Sequence, residues 1–522
     1  MTSARELLRP PRPWHLVLAP AIPLLGFLKS SLGMVPPDVI VLPLALASGC
    51  SLILSLALAP VAADRHRSAF AASLLMLAGL SFMTVVLGAA AIGMGLAVAL
   101  VYAAVAVATF VLVRTPGSAA ALTVFANRAF ALAVLLLVAP IVWGEWQRPR
   151  SSVEPFALPA GAPGDRPDVY VIVLDGYARD DVMRDVYGFE NGLARELRSS
   201  GFFVADRAAA NYSHTALSLA SALNGDYIPR LNHVSRGPAD RRGLGDLIND
   251  SRFFDAFAAA GYRIRAYASE YALVRPRRAD ERPSPGVSLD EFSFAAYETT
   301  LLPTVLNVLG LPRGWLPMGL HRRHITWTLQ HLAETEPSQP TLVFAHILAP
   351  HPPFAFDANG GARRTRMPAL LSDGDMWHRI ANGNGESYKS GYADTVRVLN
   401  ERLLSAVRSI VARRRESIVL VHSDHGPGSA LEWENPGGTD MRERMGILLA
   451  ARFPKGEAPP LAASVTPVNA YRAVLNRALG TTLPALDDRS FFSTWSEPHA
   501  YIDMTARLHA AVDSPGRSVA AK

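Results

Sequence analysis

Residues 417–428, SIVLVHSDHGPG, run five strand-like residues into His422, Asp424 and His425 and then a glycine. An aspartate oxygen and a histidine nitrogen on one short turn can hold a divalent cation. The same residues also suit an ordinary polar turn at a strand end, because aspartate and glycine favour turns. Other strand ends decide between the two readings. A metal site needs further ligands, and in open α/β sheets ligands gather beyond the carboxyl ends of the strands.

Further strand ends carry such groups. In PDVYVIVLDGYARDD, from Pro167, the continuous apolar run 169–174 reads as a strand buried on both faces and stops at Asp175 and Gly176. Residues 341–354, TLVFAHILAPHPPF, read as another, with His346 inside it and His351 beyond it. RIRAYAS, from Arg263, is a third. Helical patterns lie between. The clearest is 387–413, where Tyr392, Val396, Leu399, Leu403, Val407 and Ile410 recur at helical spacing. Strands alternating with helices imply a parallel sheet. Asp175, His351, Asp424 and His425 then converge on one edge of it. His346, within its strand, is a weaker candidate and reads more readily as a core histidine satisfied by its neighbours.

Residues 211–225, NYSHTALSLASALNG, add a hydroxyl. Thr215 opens an apolar helical pattern of Ala216, Leu219, Ala220 and Leu223. A threonine there is ordinarily an N-cap. A helix N-terminus also attracts anions such as phosphate. Beside a cation, the same hydroxyl can be deprotonated and act as a nucleophile.

The N-terminal region has a different character. The chain has 522 residues and is 50% hydrophobic, but the long apolar runs fall within the first 145 residues or so. A membrane helix needs about 20 apolar residues. Segments 39–63, 68–87, 95–113 and 125–143 qualify, and 15–28 is a shorter fifth candidate that carries Pro20 and Pro23. Arg65 and Arg67 in one loop, Arg114 in another, and Arg5, Arg9 and Arg12 at the N-terminus mark the cytoplasmic side. The chain after Trp143 is thus expected outside. The expected organisation is a transmembrane helical domain over 1–143, a proline-rich linker over 144–167, a catalytic domain over 168–505 and a loose tail over 506–522. Net charge is +6, but no dense basic stretch is interleaved with aromatics, which argues against nucleic acid as a partner. Arg413 to Arg415 reads as a helix end. Cys50, the single cysteine, excludes an intrachain disulfide and a cysteine metal site.

The ordered set Asp175, Thr215, His351, Asp424 and His425 resembles the alkaline phosphatase/sulfatase superfamily. With the apolar N-terminus it is most similar to the membrane-anchored branch that includes lipoteichoic acid synthases and lipid A phosphoethanolamine transferases. HTALSLAS resembles the nucleophile motif of the transferases, HPPF at His351 the His-x-Pro-Phe motif of the synthases, and SDHG the shared metal-binding motif. The resemblance covers most of the chain. It implies an all-α bundle of about five membrane helices followed by an α/β sulfatase/alkaline-phosphatase-like domain with a mostly parallel sheet. It implies one divalent metal ion, zinc or manganese, on Asp175, Thr215, Asp424 and His425, with Thr215 as nucleophile. His351 would contact the transferred group or protonate the leaving group. The implied setting is a bacterial inner membrane, with the catalytic domain on the periplasmic face. The implied substrate is a phosphodiester of a lipid or envelope glycan, met among inner-membrane lipids. A sulfuric or phosphate ester hydrolase of the same superfamily, or a catalytically silent envelope assembly protein, are the other readings.

The departures are specific. No Cys/Ser-x-Pro-x-Arg motif for formylglycine surrounds Thr215. No Asp-x-x-x-His pair for a second metal occurs in the outer domain. Asp175 stands where many relatives carry glutamate. YASEYALVRP replaces the Phe-Trp-Asn-Arg stretch of the synthases, so the resemblance does not extend to glycerol phosphate as donor.

Overall fold

The computed structural model describes residues 11–91, 95–115, 119–159, 166–232, 235, 237, 239–334, 339–363, 372–380, 385–413, 416–454 and 461–512. The chain divides into two compact units. One joins Met1–Arg148 to Glu291–Arg313, and the other joins Pro149–Asp290 to Gly314–Lys522. The 23-residue return to the first unit interrupts the stretch expected to be one catalytic domain.

In the first unit all five apolar segments form helices. Three are long and apolar enough to cross a membrane: Pro37–Leu58, Leu96–Arg114 and Ala120–Trp146. The segment expected over 68–87 is instead two helices, Arg65–Leu80 and Phe82–Ala91, bent by 52° at Ser81, and they count as a fourth span only if taken together. His15–Ser31 has 17 residues and contains Pro20 and Pro23, so it is shorter than an independent span. Among the described residues, three or four spans therefore stand where about five were expected. Polar side chains on these helices pair with one another. His15 Nδ1 lies 2.8 Å from Ser73 Oγ, and His66 Nδ1 lies 2.8 Å from Thr123 Oγ1. Such pairing suits an environment without water. The apolar helices mark a membrane anchor.

The second unit is an α/β domain. Among the described residues its main strands are β1 (Val169–Leu174), β2 (Phe203–Val204), β3 (Arg263–Ala266), β4 (Thr341–Ile347), β5 (Ile418–His422) and β6 (Leu449–Arg452). Their order is β2-β6-β5-β1-β4-β3. β1 pairs in parallel with β4 and β5, and β3 with β4; β6 runs antiparallel to β5 and β2. Every residue of β1, β4 and β5 is buried, which is why β1 reads as an unbroken apolar run and β4 and β5 as mostly apolar ones. Register sets which residues meet beyond the strand ends. Leu174 lies beside Ile347, and Val173 beside His422. Parallel strands in this register bring Asp175, the 348–351 turn and Asp424 to one edge.

The helix Gly385–Arg413 presents the expected stripe, with Tyr392, Val396, Leu399, Leu403, Val407 and Ile410 all buried. It ends at Arg413; Arg414 and Arg415 lie outside the described residues. The start of the expected loose tail is ordered. Thr505–Val512 forms a helix, and Leu508 packs into the core.

Candidate functional site

The site forms where β1 and β5 end. Asp175 follows β1 directly, and Asp424 and His425 follow β5 after Ser423. Ser423 ties the two ends together. Its hydroxyl lies 2.6 Å from the Leu174 and His425 carbonyl oxygens, and it accepts the Tyr177 N–H at 2.7 Å. Gly176 N–H donates to Asp424 Oδ1 at 3.3 Å. Gly426 must be glycine, because a Cβ there would stand 2.0 Å from the Glu443 carbonyl oxygen. The SDHG turn can thus fold tightly against residues 443–446.

Four side chains meet at one point. Thr215 Oγ1 is 3.0 Å from His425 Nε2 and 3.5 Å from Asp175 Oδ2. His425 Nε2 is 3.5 Å from Asp175 Oδ1 and 3.3 Å from Asp424 Oδ2. Asp175, Asp424 and His425 each offer a ligand atom within 4.8 Å of the others. Two of those atoms, Asp175 Oδ1 and Asp424 Oδ2, are buried without a hydrogen-bond donor. Burying unpaired carboxylates is costly unless a cation compensates. Ligand atoms about 2.0–2.2 Å from a tetrahedral ion stand about 3.3–3.6 Å apart. The spacings of 3.3 and 3.5 Å fit that requirement, and the 3.0 Å between Thr215 and His425 is somewhat shorter. His425 is also in the right tautomer. Its Nδ1–H donates to the Gly426 carbonyl at 2.9 Å, which leaves the Nε2 lone pair facing the cluster. Burial, aided by the Arg444 guanidinium, holds His425 below its ordinary pKa. Burial pushes the Asp175 carboxyl up, but His351, His346 and His425 around it bring it below the ordinary carboxylate range.

Thr215 is the first helical residue of Thr215–Asn224, and the N-cap position belongs to His214. The hydroxyl is therefore turned to the ligand cluster instead of capping the helix. His214 is held by stacking on Trp433, with ring centroids 4.5 Å apart, and by a hydrogen bond from Nε2 to the Ser493 carbonyl at 3.0 Å.

His351 joins the same edge. Its Nδ1–H donates to the Pro352 carbonyl at 2.6 Å, and its ring centroid lies 6.2 Å from that of His425. His351 Nε2 stands 4.0 Å from Asp373 Oδ2. His422, by contrast, is turned away into the fold. Its Nδ1 lies 2.9 Å from the Ser423 carbonyl and its Nε2 3.2 Å from the Tyr471 hydroxyl, and burial lowers its pKa to about 4.

Two residues at the site, Asp373 and Arg444, were not apparent in the sequence, and a third, His346, was only a weaker candidate. Asp373 is buried and holds Arg444 Nη1 at 2.6 Å and the Tyr388 hydroxyl at 2.7 Å. Arg444, also buried, donates to the Ser213 carbonyl from Nε and Nη2 and to the Gly426 carbonyl from Nη1. One guanidinium thus pins the backbone beside Thr215 to the backbone beside His425. His346 is only half satisfied, unlike the core histidine expected. Its Nδ1 lies 2.8 Å from Ser269 Oγ, while Nε2 is buried without a hydrogen-bond partner 3.5 Å from Asp175 Oδ2. Its place one strand residue before the chain's exit at the sheet edge was the only signal.

A family model described as Sulfatase matches residues 167–469, more than half of the chain. No curated protein matches significantly. Among similar solved structures is the C-terminal periplasmic domain of EcEptC from Escherichia coli in complex with zinc. It is 12% identical, with 66% of this chain and 96% of that chain covered and a TM-score of 0.40. The C-terminal periplasmic domain of the phosphoethanolamine transferase EptC from Campylobacter jejuni is 14% identical, with 60% and 89% covered and a TM-score of 0.36. The soluble domain of lipooligosaccharide phosphoethanolamine transferase A from Neisseria meningitidis is 12% identical, with 63% and 93% covered and a TM-score of 0.38.

Proposed function

The chain belongs to the sulfatase family, and from that premise we propose that it is a membrane-anchored, metal-dependent enzyme that transfers or hydrolyses a phospho-group through Thr215. The observation that carries this reading is the Thr215 hydroxyl, 3.0 Å from His425 Nε2 and 3.5 Å from Asp175, beside two buried carboxylate oxygens that lack donors. A divalent ion held by Asp175, Thr215, Asp424 and His425 would lower the pKa of the threonine hydroxyl and neutralise charge on the phosphoryl oxygens. The oxygen and nitrogen donors suit zinc or manganese.

The chain's own residues do the rest. Thr215, as alkoxide, forms a bond to phosphorus as the bond to the leaving oxygen breaks. His351, protonated on Nε2, gives that proton to the leaving oxygen and becomes neutral. Asp373 Oδ2 stands 4.0 Å from that Nε2. An acceptor hydroxyl then loses its proton to His351 and attacks phosphorus, and the bond to Thr215 breaks to restore the alkoxide. With an envelope glycan or lipid as acceptor the reaction is transfer; with water it is hydrolysis. The N-terminus of the Thr215 helix favours a bound anion. Threonine cannot become formylglycine, so sulfate ester cleavage by that route is disfavoured here. A membrane anchor favours a lipid-borne donor, and Arg65, Arg67 and Arg114 support an outer location for the sulfatase domain.

The test is mass spectrometry of envelope lipids and glycans from cells with and without the protein. For transfer, a phospho-substituted envelope molecule should disappear in its absence and the dephosphorylated donor lipid should fall with it; for hydrolysis, the phosphodiester substrate should accumulate. Identical profiles under conditions where the protein is made would overturn the reading.

His346 enters as a positioning residue. Tyr271 N–H donates to Ser269 Oγ at 3.1 Å, which frees the hydroxyl proton for His346 Nδ1. The remaining ring proton then sits on Nε2, aimed at Asp175, and holds that carboxylate in its binding orientation. Partners of this kind affect metal affinity about 10–100-fold. His346→Leu should weaken metal binding by that factor in a chelator competition assay, and His346→Gln, which keeps a donor, should recover part of it. Wild-type affinity in the leucine variant would remove His346 from the site.

A further inference from the structure

Between β3 and β4 the chain leaves the sulfatase unit and becomes part of the helical one. The helix Glu291–Glu298 buries Phe292, Phe294 and Ala296, and the Phe292 ring packs 5.1 Å from Phe27 of the helix His15–Ser31. Residues 299–301 then meet the bend at Ser81. An unbroken helix would bond Met83 N–H to the Gly79 carbonyl. Instead Met83 N–H donates to the Thr299 carbonyl at 3.0 Å, and the Gly79 carbonyl accepts Leu301 N–H at 2.8 Å. Both of these groups are thus satisfied. A bilayer offers no water to such groups, so a broken apolar helix needs a protein partner of this kind.

The chain then makes a short hairpin with a polar base and an apolar tip. At the base Arg313 pairs with Glu298 at 2.9 Å, and the Tyr297 hydroxyl donates to the Arg313 carbonyl at 2.5 Å. Residues 301–311, LLPTVLNVLGL, carry no charge. They form the helix Leu302–Val308 and turn at Gly310, whose φ of +73° suits glycine. The tip buries little of itself. Leu302, Val305, Val308, Leu309 and Leu311 are all exposed, Val308 at 79% and Leu309 at 66%.

We propose that residues 301–311 are a membrane-inserted hairpin tip, covered by lipid hydrocarbon alongside the broken span. Two observations select lipid as the occupant. The tip is continuous, through the Gly79 and Met83 hydrogen bonds, with helices whose own outward side chains, such as Leu87 and Phe110, are exposed and apolar. Charge is confined to the Glu298–Arg313 pair at its base, the division expected across a membrane interface. The proposal stands on the fold and does not depend on the reaction assigned to Thr215.

The test uses the full-length protein in a Cys50→Ser background, reconstituted in phosphatidylcholine/phosphatidylglycerol vesicles. A nitroxide is attached at Val308→Cys, and in a separate variant at Leu311→Cys in case the first folds poorly. Phe110→Cys serves as the lipid reference and Ser199→Cys, exposed on the sulfatase unit, as the aqueous one. Collision with oxygen and with a water-soluble nickel chelate is measured by power saturation. The hairpin labels should match the Phe110 label, with oxygen access several-fold above nickel access. Nickel access equal to that at Ser199 would overturn the proposal. Spin–spin broadening that vanishes on dilution with unlabelled protein would also overturn it, by assigning the surface to a second copy of the chain.

Discussion

Thr215→Ala should abolish turnover and leave the sulfatase unit folded. The side chain is small and caps nothing, since His214 holds the N-cap position and the Thr215 hydroxyl faces Asp175 and His425. Removing it should change stability by less than the roughly 1 kcal/mol of a lost cap. The loss of turnover should be on the order of 10³-fold or more, the scale of removing a nucleophile that no neighbour replaces. Thr215→Ser keeps the attacking oxygen and should retain partial activity. The covalent intermediate offers an independent readout. Rapid quenching with substrate should add the mass of the phospho-group to the peptide that contains Thr215 and to no other. An alanine variant that turns over at a comparable rate would shift the attack to a water molecule.

The second large effect concerns the ligand cluster. Asp424→Ala or His425→Ala should remove most bound metal and nearly all activity, as measured by elemental analysis of purified protein and by turnover. A charged or imidazole ligand has no substitute in alanine, and the remaining donors cannot close the coordination shell. Thermal unfolding should separate the metal's contribution from the residue's. A metal present at about a thousand times its dissociation constant stabilises the fold by about 4 kcal/mol, so chelation should lower the wild-type melting temperature clearly. In Asp424→Ala the same chelator should change little. The metal-free variant should also be less strained than the metal-free wild type, because one of two buried carboxylate oxygens that lack a donor is gone. Stoichiometric metal in the double variant would show that these residues are not its ligands.

Within the site, legibility followed the chain's local rules. Asp175, Asp424 and His425 could be placed together from sequence because each follows a fully buried strand, and parallel strands bring such positions to one edge. The stripe from Tyr392 to Ile410 was equally legible, because helical spacing selects one buried face. Thr215 opens its helix as the sequence pattern suggested, but its bland alternative as a cap could be judged only with His214 in position. His346 was read the other way. A histidine in an apolar strand gives no sign of which ring nitrogen finds a partner, and Ser269 satisfies only one.

The amino-acid sequence by itself determined the apolar anchor, the α/β alternation and the polar groups at the strand ends, since each depends on short-range periodicity and on the polarity of consecutive residues. Only the tertiary structure decided what depends on contacts between distant stretches. Arg444 joins Ser213 and Gly426 through backbone carbonyls, which leave no trace in residue identity. Asp373 matters through Arg444 and Tyr388, with no motif of its own. The return of Glu291–Arg313 to the helical unit was equally hidden. Eleven uncharged residues are too few to read as a span, and the break at Ser81 contains no proline to announce it. The break is stable because the Thr299 carbonyl and the Leu301 amide, more than two hundred residues away, take the hydrogen bonds the helix gives up.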